Sequence, residues 1–253
     1  MCNLGGIICA SNPRSSVHRA CVQKTVFTKR GSEDLSESLG VIPGVATLIN
    51  ASLSLFAGLF VLTRYQWNRL RQSLFWGSAL IFLGLTYFTE FGYMTNIIPA
   101  NVVSFSLQNS FLSVAMILLY CGCALFFTQR RFYTTLLPML LLAVLEINIA
   151  YFYLVAGYQS PVVLVNIILF GVPIVIFSGS SFMLDYLSSK RRGSLLVSIS
   201  TWMYSGLGPL FYFVNLTPYE AVFHVLSAIT IAVMLLGFIM LVSPRSESRT
   251  RQP

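Results

Sequence analysis

Seven apolar runs, each close to the length of a membrane span, alternate along this chain with short polar breaks. They cover Val41–Thr63, Ser73–Met94, Asn109–Thr128, Thr135–Ala156, Val162–Leu187, Ser194–Val214 and Val222–Ser243. A helix rising about 1.5 Å per residue needs about 20 apolar residues to cross a hydrocarbon core of about 30 Å. The runs are continuously apolar rather than alternating, which excludes a transmembrane β-barrel. The pattern predicts an all-α, polytopic membrane protein folded as a seven-transmembrane-helix bundle. The fifth run is the least regular, because Gly171, Pro173 and the small residues Ser178, Gly179, Ser180 and Ser181 interrupt it. Pro173 removes one backbone bond, so a kink is expected there.

Composition sharpens this class. Hydrophobic residues make up 56% of the 253 and charged residues 9%, against roughly 25% charged in an ordinary soluble domain. One soluble core cannot bury seven such runs. Three segments follow: a polar tail over 1–40, the helical domain over 41–243, and a short tail over 244–253.

The basic residues predict the threading. Arg64, Arg69 and Arg71, then Arg130 and Arg131, then Lys190, Arg191 and Arg192 occupy the first, third and fifth breaks, and Arg245, Arg249 and Arg251 follow the last run. The second, fourth and sixth breaks hold no Lys or Arg. The positive-inside rule then puts the N-terminus outside and the C-terminus in the cytoplasm. The tail opposes this, because Arg14, Arg19, Lys24, Lys29 and Arg30 would lie outside. That tail has no acid before Glu33 and lacks a secretory apolar core, so it reads either as a disordered leader or as an organellar transit segment. The cell membrane is the expected location under the first reading, an organellar membrane under the second. The net charge of +8 is accounted for by threading and tail. It points to anionic lipid headgroups at the cytoplasmic loops, not to nucleic acid. Self-association is left open.

An internal offset of 119 residues pairs Tyr93 with Tyr212, Asn96 with Asn215 and Pro99 with Pro218. It suggests a 3+1+3 parallel repeat, with helices 1–3 and 5–7 joined by helix 4, an arrangement some transporters use. Asn and Pro are also ordinary helix-end punctuation, so chance competes with it.

Ionisable groups inside spans are the candidate chemistry. Glu146 lies near the centre of the fourth run, where an acid costs about 2.5–3.5 kcal/mol even on the milder insertion scales. Glu90 lies about a turn inside the end of the second run, on a stripe with Thr86 and Tyr93. Asp185 is near Lys190, Arg191 and Arg192 and is expected to reach the interface and pair there. His224 opens the seventh run, where interfacial hydration accounts for it. Asn50 shares a face of the first run with Ser54, and Asn166 is shallow in the fifth. Under the predicted threading, Asn50, Glu90, Glu146, Asn166 and His224 fall in the outer half of the bundle. Together with Tyr93 they form the expected ligand- or proton-binding set. Interhelical hydrogen bonds of about 0.6 kcal/mol each explain such asparagines and serines without any ligand.

Other classes find little support. The last run has no lysine for a retinal, Gln129-Arg130-Arg131 replaces the acid-Arg-aromatic triplet of a G-protein-coupled receptor, and no span holds several histidines for zinc. Cys121 and Cys123, two apart, point to different faces, and no metal or cofactor is expected. The leading expectation is a protein that binds or moves a small solute through an outward-facing polar pocket, with Glu146 and Glu90 carrying protons or meeting a cation. A sensory input module with a separate signalling partner is the alternative, and a lipid-modifying enzyme ranks third.

Overall fold

The computed structural model describes residues 43–65, 70–99, 101–155, 167–214 and 219–242, and every regular element within them is helical. In chain order these are α1 (Pro43–Tyr65), α2 (Arg71–Met94), α3 (Val102–Phe127), α4 (Phe132–Tyr153), α5 (Ile168–Ser189), α6 (Arg192–Val214) and α7 (Glu220–Val242). All but α6 are long and apolar enough to cross a membrane, by length and composition. On α6 a row of hydroxyls, Ser194, Ser198, Ser200 and Thr201, is buried and lowers its apolarity. The tail over 1–40, Asn166 and the C-terminal residues lie outside the described residues.

The bundle buries polar side chains beside its apolar core and turns apolar ones outward. Thr47, Asn50, Ser54, His224 and Ser227 are fully buried, while Phe56, Leu140, Ile147 and Leu169 are more than half exposed. A soluble domain would carry these the other way round. Lipid as the surrounding solvent fits this arrangement, so the architecture is compatible with a multi-pass membrane protein.

Helix ends depart from the sequence pattern where local chemistry overrides apolarity. α3 starts seven residues before the expected Asn109, because Asn101 and Ser104 form a capping box. The Ser104 amide donates to Asn101 Oδ1 and the Asn101 amide to Ser104 Oγ, both at 3.0 Å. Two backbone donors are thereby satisfied. The irregularity expected around Pro173 is a wide π-type turn over Ile167–Gly171, just before the proline. Pro138 follows a similar turn over Phe132–Leu136. In each the proline lacks an amide and its ring crowds the carbonyl four residues back, and the wider turn opens the ladder there.

Two glycine crossings draw the bundle together at the end where α2 begins and α7 finishes. A Cβ on Gly58 of α1 would stand 2.8 Å from the Gly77 carbonyl of α2, and one on Gly77 3.0 Å from that of Gly58. Gly193 of α6 and Gly237 of α7 mirror this at 2.7 and 2.9 Å. Such small residues allow backbones to touch. At the same end Trp76 packs on Phe126, Phe182 and Phe238, with ring centroids 5.3, 5.0 and 5.6 Å away. α4 is peripheral: it rests chiefly on α3, and only 17% of its apolar window is buried.

The 119-residue offset does not carry the packing. Buried Trp76, Leu80, Leu83 and Tyr87 of α2 correspond to Leu195, Ile199, Trp202 and Gly206 of α6, the last three of which are exposed.

Candidate functional site

At the end opposite the glycine crossings, α1, α2 and α7 bring three of the expected residues together. Glu90, Asn50 and His224 are all buried, and His224 Nε2 lies 3.9 Å from Glu90 Oε1. His224 is therefore not hydrated at an interface, as its position near the start of α7 suggested. Residues 220–223 extend α7 beyond it, and α1 covers it. The other ring nitrogen, Nδ1, is 3.3 Å from Thr47 Oγ1. That hydroxyl donates its only proton to the Pro43 carbonyl at 2.8 Å, so Thr47 accepts from His224 and Nδ1 carries the hydrogen. That leaves Nε2 as the ring nitrogen facing Glu90. Asn50 Nδ2 donates to the His224 carbonyl at 3.4 Å, which ties α1 to α7. Asn50 Oδ1 and Ser54 Oγ are buried acceptors with no hydrogen-bond partner, and each such group in a native core calls for a physical reason.

One turn deeper, Tyr87 Oη meets Ser227 Oγ at 2.8 Å and Tyr204 Oη at 3.0 Å, joining α2, α7 and α6. Below this chain of hydroxyls lies a small apolar cavity of about 40 Å³, walled by Leu83, Ala115, Val175, Tyr204 and Met234 among others. It has room for a water or two and for no larger solute.

Glu146 occupies a separate place. It sits on the flank of peripheral α4, where Ser110 of α3 donates to its Oε2 at 2.7 Å and Oε1 is buried without a hydrogen-bond partner. Nearby, Asn109 donates to Tyr153 Oη at 2.8 Å. Glu146 therefore faces α3 rather than a shared pocket with Glu90. The Tyr93 hydroxyl donates to Gln108 at 2.9 Å and its ring packs, tilted, on Phe105. Asn166 lies outside the described residues. Asp185 accepts a hydrogen bond from Ser194 at the start of α6, and among the described residues it forms no ion pair with the basic loop. Among the described residues no three His, Cys, Asp or Glu side chains converge as metal ligands would.

The Ser110 contact makes a prediction for Glu146. Glu146→Gln keeps an oxygen for Ser110 to donate to, so its melting temperature should match wild type. Glu146→Leu leaves the Ser110 hydroxyl without its acceptor and should cost about 1–3 kcal/mol. Thermal melts in one detergent check both, and equal stability of the two variants would show that the bond contributes nothing.

Thr47, Tyr87 and Ser227 belong to the site and escaped the sequence reading. Each is three residues from a recognised member (Asn50, Glu90 and His224 respectively), and i±3 spacing on a helix was the available signal. No family model matches the chain, and neither a curated protein nor a solved structure matches it.

Proposed function

We propose a multi-pass membrane protein with seven spans, α6 included, that couples movement of a small solute to protonation of the Glu90–His224 pair. One observation carries this reading: an acid and an imidazole, both buried, face each other at 3.9 Å with the ring oriented by Thr47. An ionisable pair inside membrane helices is expensive, and such pairs mark proton and ion pathways. The unpartnered Asn50 Oδ1 and Ser54 Oγ offer further acceptors beside it. The cavity beneath is too small for a solute, so passage would require the helices to part at the polar end while the glycine crossings hold the other. Glu146 with Ser110 is a second polar station on the α3–α4 seam. The repeat is not part of this proposal, because the burial pattern does not follow it.

Reconstitution tests it directly. Liposomes holding the protein and a pH-sensitive dye should acidify when one member of a panel of small polar solutes is added along a proton gradient. No solute-dependent signal across sugars, amino acids and organic cations would count against a proton-coupled carrier.

The proposed threading has the N-terminus outside, the C-terminus cytoplasmic and the Glu90 end outward, on the distribution of basic residues. A cysteine at Asn101, at the exposed start of α3, should react with an impermeant maleimide on intact cells. Labelling only after permeabilisation would invert the bundle.

A further inference from the structure

The end of the bundle away from Glu90 carries a groove of about 590 Å³ between the start of α2, the end of α3 and the start of α4. Its walls include Arg71, Gln72, Gln129, Arg131 and Thr135, and no lining residue is acidic. Arg71 and Arg131 are exposed and make no salt bridge among the described residues. Both line the same groove, and among the described residues no carboxylate pairs with either. Leu70 and Leu125 add an apolar wall to the same space.

We propose that this groove holds the phosphate of an anionic phospholipid headgroup. Two guanidinium groups, each able to grip phosphate oxygens in bidentate fashion, match a phosphodiester in charge and shape. Gln72, Gln129 and Thr135 supply neutral donors for glycerol or headgroup oxygens, and Leu70 with Leu125 meets the upper acyl carbons. The groove sits at helix ends, the level at which headgroups lie when α2, α3 and α4 span a bilayer. That position favours a lipid over a soluble phosphate, because the lipid is already held at that depth. The inference rests on membrane insertion and is independent of proton coupling. Alkaline carbonate extraction of the wild type checks insertion separately.

The test is native mass spectrometry of the full-length protein released from bilayers of phosphatidylglycerol and phosphatidylcholine. Wild type should retain one phosphatidylglycerol per chain in preference to phosphatidylcholine. In R71Q/R131Q the apparent affinity should fall about 30-fold, from a loss of about fivefold for each arginine near the surface compounded over two. R191Q/R192Q removes the same charge from another break and should retain the lipid as wild type does. Equal loss in both double variants would reduce the effect to a diffuse field and overturn the site. Equal retention in both would overturn it as well. Inorganic phosphate added during release should leave the bound lipid in place, and efficient displacement by it would overturn the lipid as occupant. Should R71Q/R131Q not fold, R71K/R131K keeps the charge and removes the planar fork, and unchanged retention in that variant would sink the proposal.

Discussion

Glu90→Gln is expected to lower solute-driven proton uptake by about 100-fold or more, the range seen when a proton-transferring side chain is removed. The amide has nearly the shape of the carboxylic acid and keeps an oxygen and two N–H donors, so the cluster with His224 and Thr47 can stay packed. What it loses is the ability to give up or accept a proton. The tautomer fixed by Thr47, whose hydroxyl is committed to the Pro43 carbonyl at 2.8 Å, leaves Nε2 of His224 as the only ring position able to exchange with Glu90. A second variant separates this from packing. Thr47→Val removes the acceptor for Nδ1 at nearly constant volume and frees the ring to adopt either tautomer, so flux should fall while the Glu90 carboxyl stays in place. Infrared spectra supply a readout independent of transport. A carboxyl signal that responds to pH in wild type should vanish in Glu90→Gln and persist in Thr47→Val. Full proton uptake by Glu90→Gln would show that the pair is structural.

The helices were legible in the chain because continuous apolar runs of span length seldom arise except where a helix crosses a bilayer. What periodicity could not show was which polar residues face one another. Asn50, Glu90 and His224 are 40 and 134 positions apart in sequence, and their meeting depends on α1 packing between α2 and α7. His224 was misplaced because residues near a helix start are ordinarily solvated. Here Thr47 and Asn50, on the first turns of α1, cover it. Glu146 drew notice by its central position in a run, yet depth within a helix says nothing of which neighbour lies beside it. Peripheral α4 rests chiefly on α3, and there Glu146 meets Ser110. The start of α3 was missed for a local reason, since Ser104, Ser106 and Gln108 lower apolarity just where the Asn101 capping box begins the helix.

The aromatic end of the bundle should respond as strongly as the polar end, but in stability. Trp76 is 6% exposed and touches rings from α3, α5 and α7. Removing a buried Trp or Phe side chain from a soluble core costs about 3–5 kcal/mol. In a bilayer the helices separate into hydrocarbon rather than water, so the transfer contribution shrinks and lost packing dominates. Trp76→Ala should therefore fall at the low end, about 3 kcal/mol. Gly122 makes the argument specific. A Cβ there would lie 2.4 Å from indole atoms Cδ1 and Nε1 of Trp76, and Phe126, Phe182 and Phe238 leave the ring nowhere to retreat. Gly122→Ala alone should thus destabilise by about 1–3 kcal/mol through overpacking. With Trp76 already reduced to Ala the clash is gone, and the added methyl raises helix propensity by up to about 1 kcal/mol. Gly122→Ala should then be neutral or stabilising. Equilibrium unfolding of the four proteins in one detergent gives the coupling, expected at about 1–3 kcal/mol, the scale of residues in direct contact. Additive effects within about 0.5 kcal/mol would mean that the indole does not rest on Gly122 and that the end of the bundle is packed in some other way.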